Sequence, residues 1–156
     1  MATHDLYQRP GFLLRRAHQI SAAIFERACA DLALTPAQYG VLCVLNQQPG
    51  IDQSSLARAL AFDKVTVLRV LKGLEDRGLC ERLPAQDNRR QRSVRLSAKG
   101  KRVLAQADRP VQQAYEMLMS PFTEQEQGQL MALLQKLNHE LDAQARASFV
   151  PMASVS

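Results

Sequence analysis

The sequence predicts a mainly α-helical protein with a small β-hairpin, in which a winged helix-turn-helix is flanked by N- and C-terminal dimerisation helices. A short helix, a tight turn at Ala61-Phe62 and a second helix follow one another, and two short strands come directly after them. The same region is strongly basic. Residues 53–104 hold 13 Lys or Arg against 5 Asp or Glu, a net charge of +8, whereas the rest of the chain carries −3. This distribution favours a module that binds phosphates.

Length and composition indicate a globular, cytoplasmic protein. With 156 residues, 46% of them hydrophobic, the chain is long and apolar enough for one domain with accessory helices. The N-terminus lacks the apolar run of a signal peptide, and no stretch approaches about 18 apolar residues, so we expect no membrane contact. The three cysteines, Cys29, Cys43 and Cys80, are too widely spaced for a zinc site or a disulfide framework.

The first two predicted helices have clear start signals and apolar faces. The first covers about residues 12–31, and its apolar stripe consists of Leu13, Ala17, Ile20, Ile24 and Ala28, widened by Leu14, Ser21 and Phe25. The second begins at a capping box of Thr35 and Gln38, with Pro36 at the first helical position, and stops before Pro49.

Two carboxylates and a glycine mark the ends of the helix-turn-helix. Asp52 is placed to cap a short third helix, and Asp63 to cap a fourth. The fourth helix ends at Gly78, which suits the left-handed position after a helix. Cys80–Leu83 and Ser93–Leu96 then form two strands around a basic, turn-rich tip.

The C-terminal part is helical again. Ser97 caps a fifth helix, in which Pro110 should cause a kink or a break because it removes a backbone donor. Thr123 and Glu126 form another capping box. The helix that follows has a leucine face made of Leu130, Leu133, Leu134, Leu137 and Leu141. The predicted domains are an N-terminal dimerisation helix (1–34), the winged helix-turn-helix (35–97), C-terminal dimerisation helices (98–147) and a mobile tail (148–156).

The fourth helix has the outer face that docking in a DNA major groove requires. Its buried face is predicted to consist of Val67, Val70, Leu71 and Leu74. The face that remains for DNA consists of Lys64, Val65, Thr66, Leu68, Arg69 and Lys72. Arg69 suits a bidentate contact to guanine, Thr66 suits a base or a phosphate, and the two apolar residues suit thymine methyl groups.

The hairpin tip is predicted to reach the minor groove. Arg89, Arg90 and Arg92 lie close together there, and arginine side chains favour a narrow minor groove. Asp87 is the one acid of this stretch. We expect it to stabilise the wing by an ion pair with Arg89.

The order of these motifs resembles the MarR family of bacterial transcriptional regulators, over about residues 11–141. The resemblance is carried by LTPAQYGVL at 34–42, PGIDQSSLARAL at 49–60, the helix at 63–78, and Asp-Asn-Arg-Arg at 87–90 followed by Leu-Ser-x-x-Gly at 96–100. It implies a homodimer whose terminal helices pack across a two-fold axis and whose wings grip a pseudo-palindromic, double-stranded DNA operator. It also implies a repressor that a small ligand, often aromatic and anionic, releases from DNA.

The segment GFLLRRAHQISAAIF at 11–25 is similar to family members that control aromatic-acid degradation. Our hypothesis is a pocket for an aromatic carboxylate in which Arg15 or Arg16 acts with His18, closed by Tyr39. The alternative is that both arginines are surface residues and that His18 is an interface or capping residue.

Other function classes are less well supported. The three histidines are scattered, and the chain has no glycine-rich phosphate loop and no metal-ligand spacing, so we expect no enzyme, cofactor or metal. A thiol-based redox-sensing repressor remains open, although Cys43 and Cys80 are interpreted as small buried hydrophobic residues, with Cys29 more open. A winged helix used for protein or RNA contacts also remains open. A steep salt dependence would favour duplex DNA.

Overall fold

The computed structural model describes residues 3–84 and 92–153, with side chains from Asp5 onward. Its elements are α1 (Thr3–Leu6), α2 (Pro10–Ala28), α3 (Pro36–Gln47), β1 (Ile51–Asp52), α4 (Gln53–Ala59), α5 (Lys64–Asp76), β2 (Cys80–Leu83), β3 (Ser93–Leu96), α6 (Ala98–Met119) and α7 (Glu124–Glu140). Short 3₁₀ turns follow α2 at Ala30–Leu32 and α7 at Asp142–Gln144. The predicted fold class, mainly helical with a small sheet, is confirmed.

The predicted caps account for where the helices begin. Thr35 and Gln38 form a reciprocal capping box, in which each backbone N–H donates to the other side chain at 3.2 Å. The other caps also accept a hydrogen bond from the backbone three residues on, and they are Asp52, Asp63, Ser97 and Thr123. Each cap satisfies a backbone donor that the first helical turn would otherwise leave unpaired.

The sheet has one strand more than the sequence predicts. The predicted strands β2 and β3 pair antiparallel, with Cys80 opposite Leu96. On the other edge of β3, Ile51 of β1 pairs with Val94, so the strand order is β1-β3-β2. A two-residue strand is too short to show an alternating pattern, which explains why the pattern missed it.

The hydrophobic core lies between the helix-turn-helix, the sheet and the adjoining parts of α2 and α6. Fully buried side chains come from α3, α4, α5 and the sheet, and they include Leu42, Leu45, Leu56, Leu71, Leu74, Leu79 and Val94. Phe25 joins the core from α2, and Ala107, Val111 and Ala114 join it from α6. Helix α5 therefore rests on the same core that holds the middle of α6.

Helix α6 is unbroken at Pro110, so the break expected there does not occur. Proline leaves the carbonyl of Gln106 without its usual backbone partner. Ala107 and Val111, the buried residues on either side, pack against the core. We attribute the continuity of the helix to this packing.

The outer helices leave large apolar side chains exposed in the single chain. Leu13 and Ile20 of α2 are 53% and 43% exposed. On α7, Leu133 is 66% exposed, and Leu137 and Leu141 are also exposed. These are the faces that the sequence assigns to dimerisation.

The sequence also predicts no membrane contact, no metal site and a mobile C-terminal tail. Within residues 3–84 and 92–153, no helix is long and apolar enough to cross a membrane, and no group of three His, Cys, Asp or Glu side chains could hold a metal ion. The tail, residues 148–156, is predicted to be mobile, and its described part, up to Ala153, contacts the helix-turn-helix through Val150 and the core through Met152. Residues 154–156 lie outside the described chain.

Gly100 explains why a glycine closes the Leu-Ser-x-x-Gly pattern. A Cβ atom at this position would collide with the carbonyl oxygen of Leu79 and would lie 3.3 Å from a methyl group of Leu96. The obstacle is backbone, which cannot rotate away as a side chain can. Helix α6 thus passes the end of α5 at a distance that only glycine permits.

We therefore expect Gly100→Ala to lower the free energy of unfolding by about 1–3 kcal/mol, the usual cost of overpacking a close contact. Urea unfolding followed by circular dichroism measures this. Gly128→Ala on α7 is the matched control, because nothing lies within 4 Å of its added Cβ. Equal unfolding midpoints for wild type and Gly100→Ala would contradict the assigned contact.

Candidate DNA-binding surface

Helix α5 begins at Asp63 and turns one apolar face to the core. The Asp63 carboxylate accepts a hydrogen bond from the backbone N–H of Thr66 at 2.7 Å, and this bond lowers the pKa of Asp63 below its ordinary value. The carboxylate is thus charged at neutral pH, which also suits the positive end of the helix dipole. The predicted buried face is confirmed as Val67, Val70, Leu71 and Leu74.

The opposite face of α5 presents the predicted DNA-contacting residues together. Lys64 and Arg69 are exposed, Val65 is 76% exposed and Leu68 is 37% exposed. Thr66 is half-buried, and its backbone N–H donates to the cap residue Asp63. The remaining residue, Lys72, is exposed and lies 3.5 Å from Asp76 one turn further along. Two apolar side chains are thus exposed among the cations of this face.

The described part of the wing places one of its predicted arginines. Arg92 is exposed just before β3, and its carbonyl accepts a hydrogen bond from the backbone N–H of Gln53 at 3.1 Å. The other predicted wing residues, Asp87, Arg89 and Arg90, lie outside the described residues. Their contacts with each other and with DNA stay predictions.

Several cations of the basic segment stabilise the fold instead of facing a ligand. The guanidinium of Arg77 donates to the carbonyls of Leu32 and Ala33 at 2.6 and 2.9 Å. Two further arginines form ion pairs between neighbouring elements, Arg82 with Glu75 and Arg95 with Glu81. Sequence reasoning could not separate these residues from phosphate-binding cations, because their partners are distant in sequence.

Comparison with known proteins decides the family. Residues 34–91 match the MarR family model. Over 139 residues the chain is 30% identical to the HTH-type transcriptional regulator YybA of Bacillus subtilis. The aligned residues make up 89% of this chain and 90% of YybA. The chain belongs to the MarR family. It is a winged helix-turn-helix transcriptional regulator of that family.

Two solved structures are similar in fold to this MarR-family chain. The transcriptional repressor CouR, bound to a 23-mer DNA duplex, matches this chain with a TM-score of 0.78 at 29% identity. That match covers 88% of this chain and 97% of CouR. BpsR of Bordetella bronchiseptica, whose DNA binding is regulated by 6-hydroxynicotinic acid, also has a TM-score of 0.78 at 29% identity. That match covers 85% of this chain and 96% of BpsR.

The structure does not bring the predicted ligand residues together within one chain. The guanidinium of Arg15 lies over the ring of Phe12 at 5.2 Å, Arg16 donates to Gln19, and His18 is exposed. The ring of Tyr39 packs at 5.5 Å from that of Phe25. Ten residues of helix, a rise of about 15 Å, separate Phe25 from Arg15. Tyr39 therefore lies near the C-terminal end of α2, whereas both arginines lie near its N-terminal end.

An open cleft with a mixed polar and apolar lining lies between α3 and α6. Its volume is about 650 Å³, and its lining consists of Tyr39, Cys43, Asn46, Gln47, Lys101, Leu104, Ala105 and Asp108. The ordinary pKa of tyrosine is well above neutral pH, and burial raises the pKa of Tyr39 further, so its phenol is protonated and can donate a hydrogen bond. The sequence does not identify Lys101 as a residue of this cleft, because Lys101 lies in the basic segment 53–104 that is predicted to bind phosphates.

The three thiols are protected from ionisation. Burial raises the pKa of Cys80 to about 12, and it also raises the pKa values of Cys29 and Cys43. Cys29 is 1% exposed, so the expectation that it is more open is wrong: the 3₁₀ turn after α2 folds it into the core. Because the thiolate is the reactive form, these environments argue against a thiol sensor.

We expect iodoacetamide at pH 8 to label Cys80 about a thousandfold more slowly than free cysteine, because so little of its thiol is ionised. Labelling is followed by mass spectrometry of peptides. The same protein unfolded in urea should label at the rate of free cysteine, because unfolding removes the burial that raises the pKa of Cys80. Rapid labelling of Cys80 in the folded protein would revive the redox interpretation.

Proposed function

We propose that this protein is a homodimeric, cytoplasmic transcriptional repressor that binds a pseudo-palindromic DNA operator and is released by a small aromatic acid. The observation that carries the proposal is the outer face of α5, where basic and apolar side chains are exposed side by side at the start of the helix. The DNA-bound relative CouR has the same fold, which supports it. We infer no catalytic role.

In this proposal α5 lies in the major groove. Arg69 contacts the edge of a guanine through two hydrogen bonds, and Lys64 and Lys72 contact phosphates. Val65 and Leu68 contact thymine methyl groups, which removes their exposed apolar surface from water. Thr66, half-buried beside the cap, contacts a base or a phosphate.

The wing completes the proposed DNA surface. Arg89 and Arg90 enter the minor groove, and Arg92, at the base of the wing, contacts the backbone. In this proposal Asp87 stabilises the wing by an ion pair with Arg89. Strand β1 holds the base of the wing against the helix-turn-helix, since Ile51 pairs with Val94.

The exposed faces of α2 and α7 form the proposed dimer interface. Leucine side chains that are 44–66% exposed on α7 would be covered by a second copy of the chain, together with Leu13 and Ile20 of α2. Two copies related by a two-fold axis present two α5 helices to two half-sites, which accounts for a pseudo-palindromic operator.

Selection of duplexes from a random pool, followed by titration of the selected duplex, tests the DNA proposal. Arg69→Ala should weaken binding by about 5- to 150-fold, the loss of a bidentate base contact, and should relax preference at one position of each half-site. Lys64→Ala should weaken all duplexes equally and reduce the salt dependence.

Arg109→Ala is the control for that experiment, because Arg109 is an exposed arginine on α6, outside the winged helix. It should bind as wild type does. Binding that is insensitive to salt, or insensitive to Arg69→Ala, would point instead to a winged helix that recognises another macromolecule.

For the aromatic acid we propose the cleft beside Tyr39. The phenol of Tyr39 donates to a ring substituent, and a cation pairs with the carboxylate. Lys101 lines this cleft. Arg15, Arg16 and His18 are exposed on α2 and stay the alternative cation set, for a pocket completed by a second copy of the chain. Relative BpsR responds to a hydroxylated pyridine carboxylate, which supports this ligand class.

Release of the selected duplex by a panel of hydroxylated benzoates and pyridine carboxylates tests the ligand proposal. Lys101→Ala should raise the concentration of acid needed for release by about tenfold or more, the loss of a charged hydrogen bond. Arg15→Ala and Arg16→Ala should respond as wild type if the cleft lysine holds the carboxylate. The reverse pattern would assign the carboxylate to α2, and no release by any acid would remove this ligand class.

A further inference from the structure

After α7 the chain turns back and reaches the helix-turn-helix. We call residues 145–153 the C-terminal strap. The backbone N–H of Val150 donates to the carbonyl of Arg58 at 2.9 Å, and the side-chain amide of Gln47 donates to the carbonyl of Ala153 at 3.4 Å. Between these two hydrogen bonds, Met152 is half-buried against the hydrophobic core. The strap is therefore anchored by backbone bonding and by packing.

The carbonyl that accepts from Val150 lies at the end of α4, where the turn to α5 begins. Carbonyls in the last turn of a helix lack partners within that helix. Arg58 receives a local hydrogen bond from Ala61, but this bond is long at 3.4 Å. The Val150 bond, at 2.9 Å, is the shorter of the two. It lies five residues before Asp63, the cap of α5.

The turn itself needs support from its surroundings. Ala61 has a φ of +54°, a left-handed conformation that costs energy for any residue with a Cβ. Such a conformation persists only where neighbouring contacts hold it. The strap supplies such a contact from outside the helix-turn-helix, and the hydrogen bond from Phe62 to Ala57 supplies one from within, at 2.9 Å.

The strap spans the gap between this turn and the proposed dimerisation helix. An open groove of about 970 Å³ lies between them, with Ala59, Leu60 and Ala61 on one wall and Leu137 and Leu141 on the other. Phe149 and Pro151 of the strap also line the groove. The strap thus links the C-terminal end of α7 to the turn across this groove.

We propose that the C-terminal strap fixes the helix-turn-helix relative to α7 and so keeps α5 in the position from which it binds DNA. The proposal rests on the proposed function for its effect on DNA. In a dimer held together through α7, each strap sets the position of one recognition helix relative to the two-fold axis. Loosening the strap lowers operator affinity without removing any group that contacts DNA.

The test is Val150→Pro in the full-length chain. Proline removes the backbone donor at position 150. Pro151 already restricts residue 150 to an extended conformation, which a proline at position 150 can also adopt. Val150→Ala is the matched control, since it keeps the N–H and loses only an exposed side chain. Met152→Ala removes the second anchor and leaves every backbone donor in place.

Two measurements are made on each variant. Titration of the selected duplex should show about tenfold weaker binding for Val150→Pro, with the same slope of log affinity against log salt as wild type, because no phosphate contact is lost. Met152→Ala should change affinity in the same direction. Hydrogen exchange without DNA should show faster exchange at the amides of Ala61 and Phe62 in Val150→Pro and wild-type rates in Val150→Ala.

The outcomes separate the strap from the proposed function. Wild-type affinity and exchange in both Val150→Pro and Met152→Ala would overturn the proposal, and so would tighter DNA binding. A reduced salt slope in Val150→Pro would also overturn it, because the strap would then contact DNA itself. If wild type selects no duplex, the proposed function fails, and the exchange rates at Ala61 and Phe62 still decide whether the strap holds the turn.

Discussion

At the end of α5, the backbone of α6 passes so close to the carbonyl group of Leu79 that position 100 has no room for a Cβ atom. Ser97 strengthens the same junction: its backbone N–H donates to the Leu79 carbonyl at 3.1 Å, and its hydroxyl donates to the carbonyl of Gly78 at 2.5 Å. One helix ends and the next begins within this small region. The direction of α6 is therefore tied to the direction of α5 by several contacts at once.

Other hydrogen bonds near this junction connect neighbouring helices. Arg77, at the end of α5, holds the carbonyls of the 3₁₀ turn after α2, and Lys99 of α6 donates to the carbonyl of Arg77 at 3.0 Å. Cations near the junction thus join α2, α5 and α6, whereas Lys64 and Arg69 on the outer face of α5 are exposed. A dimer that must place two α5 helices at a fixed spacing on DNA needs such a rigid connection to its dimerisation helices.

Local signals predicted most of this fold, and contacts between distant residues account for what they missed. The caps at Thr35, Asp52 and Asp63 depend on neighbours three residues away, so the sequence displays them directly. Both predicted strands were placed at their observed bounds. Strand β1 is too short for a pattern, and Pro110 stays helical because of packing that no local signal reveals. For the same reason the outer face of α5 could be predicted from helical spacing, whereas a cleft formed by α3 and α6 could not.

The position of that cleft also bears on how a ligand could act. Lys101 follows Gly100 directly, so a molecule bound between α3 and α6 lies beside the junction that ties α5 to α6. A ligand shifts a conformational equilibrium only as far as it binds one state better than the other. Because α3 packs against α5 in the same core, a bound acid that changes the distance between α3 and α6 acts on the junction between α5 and α6. Release from DNA then requires that the acid prefer a spacing at which the two recognition helices of the dimer no longer match the operator.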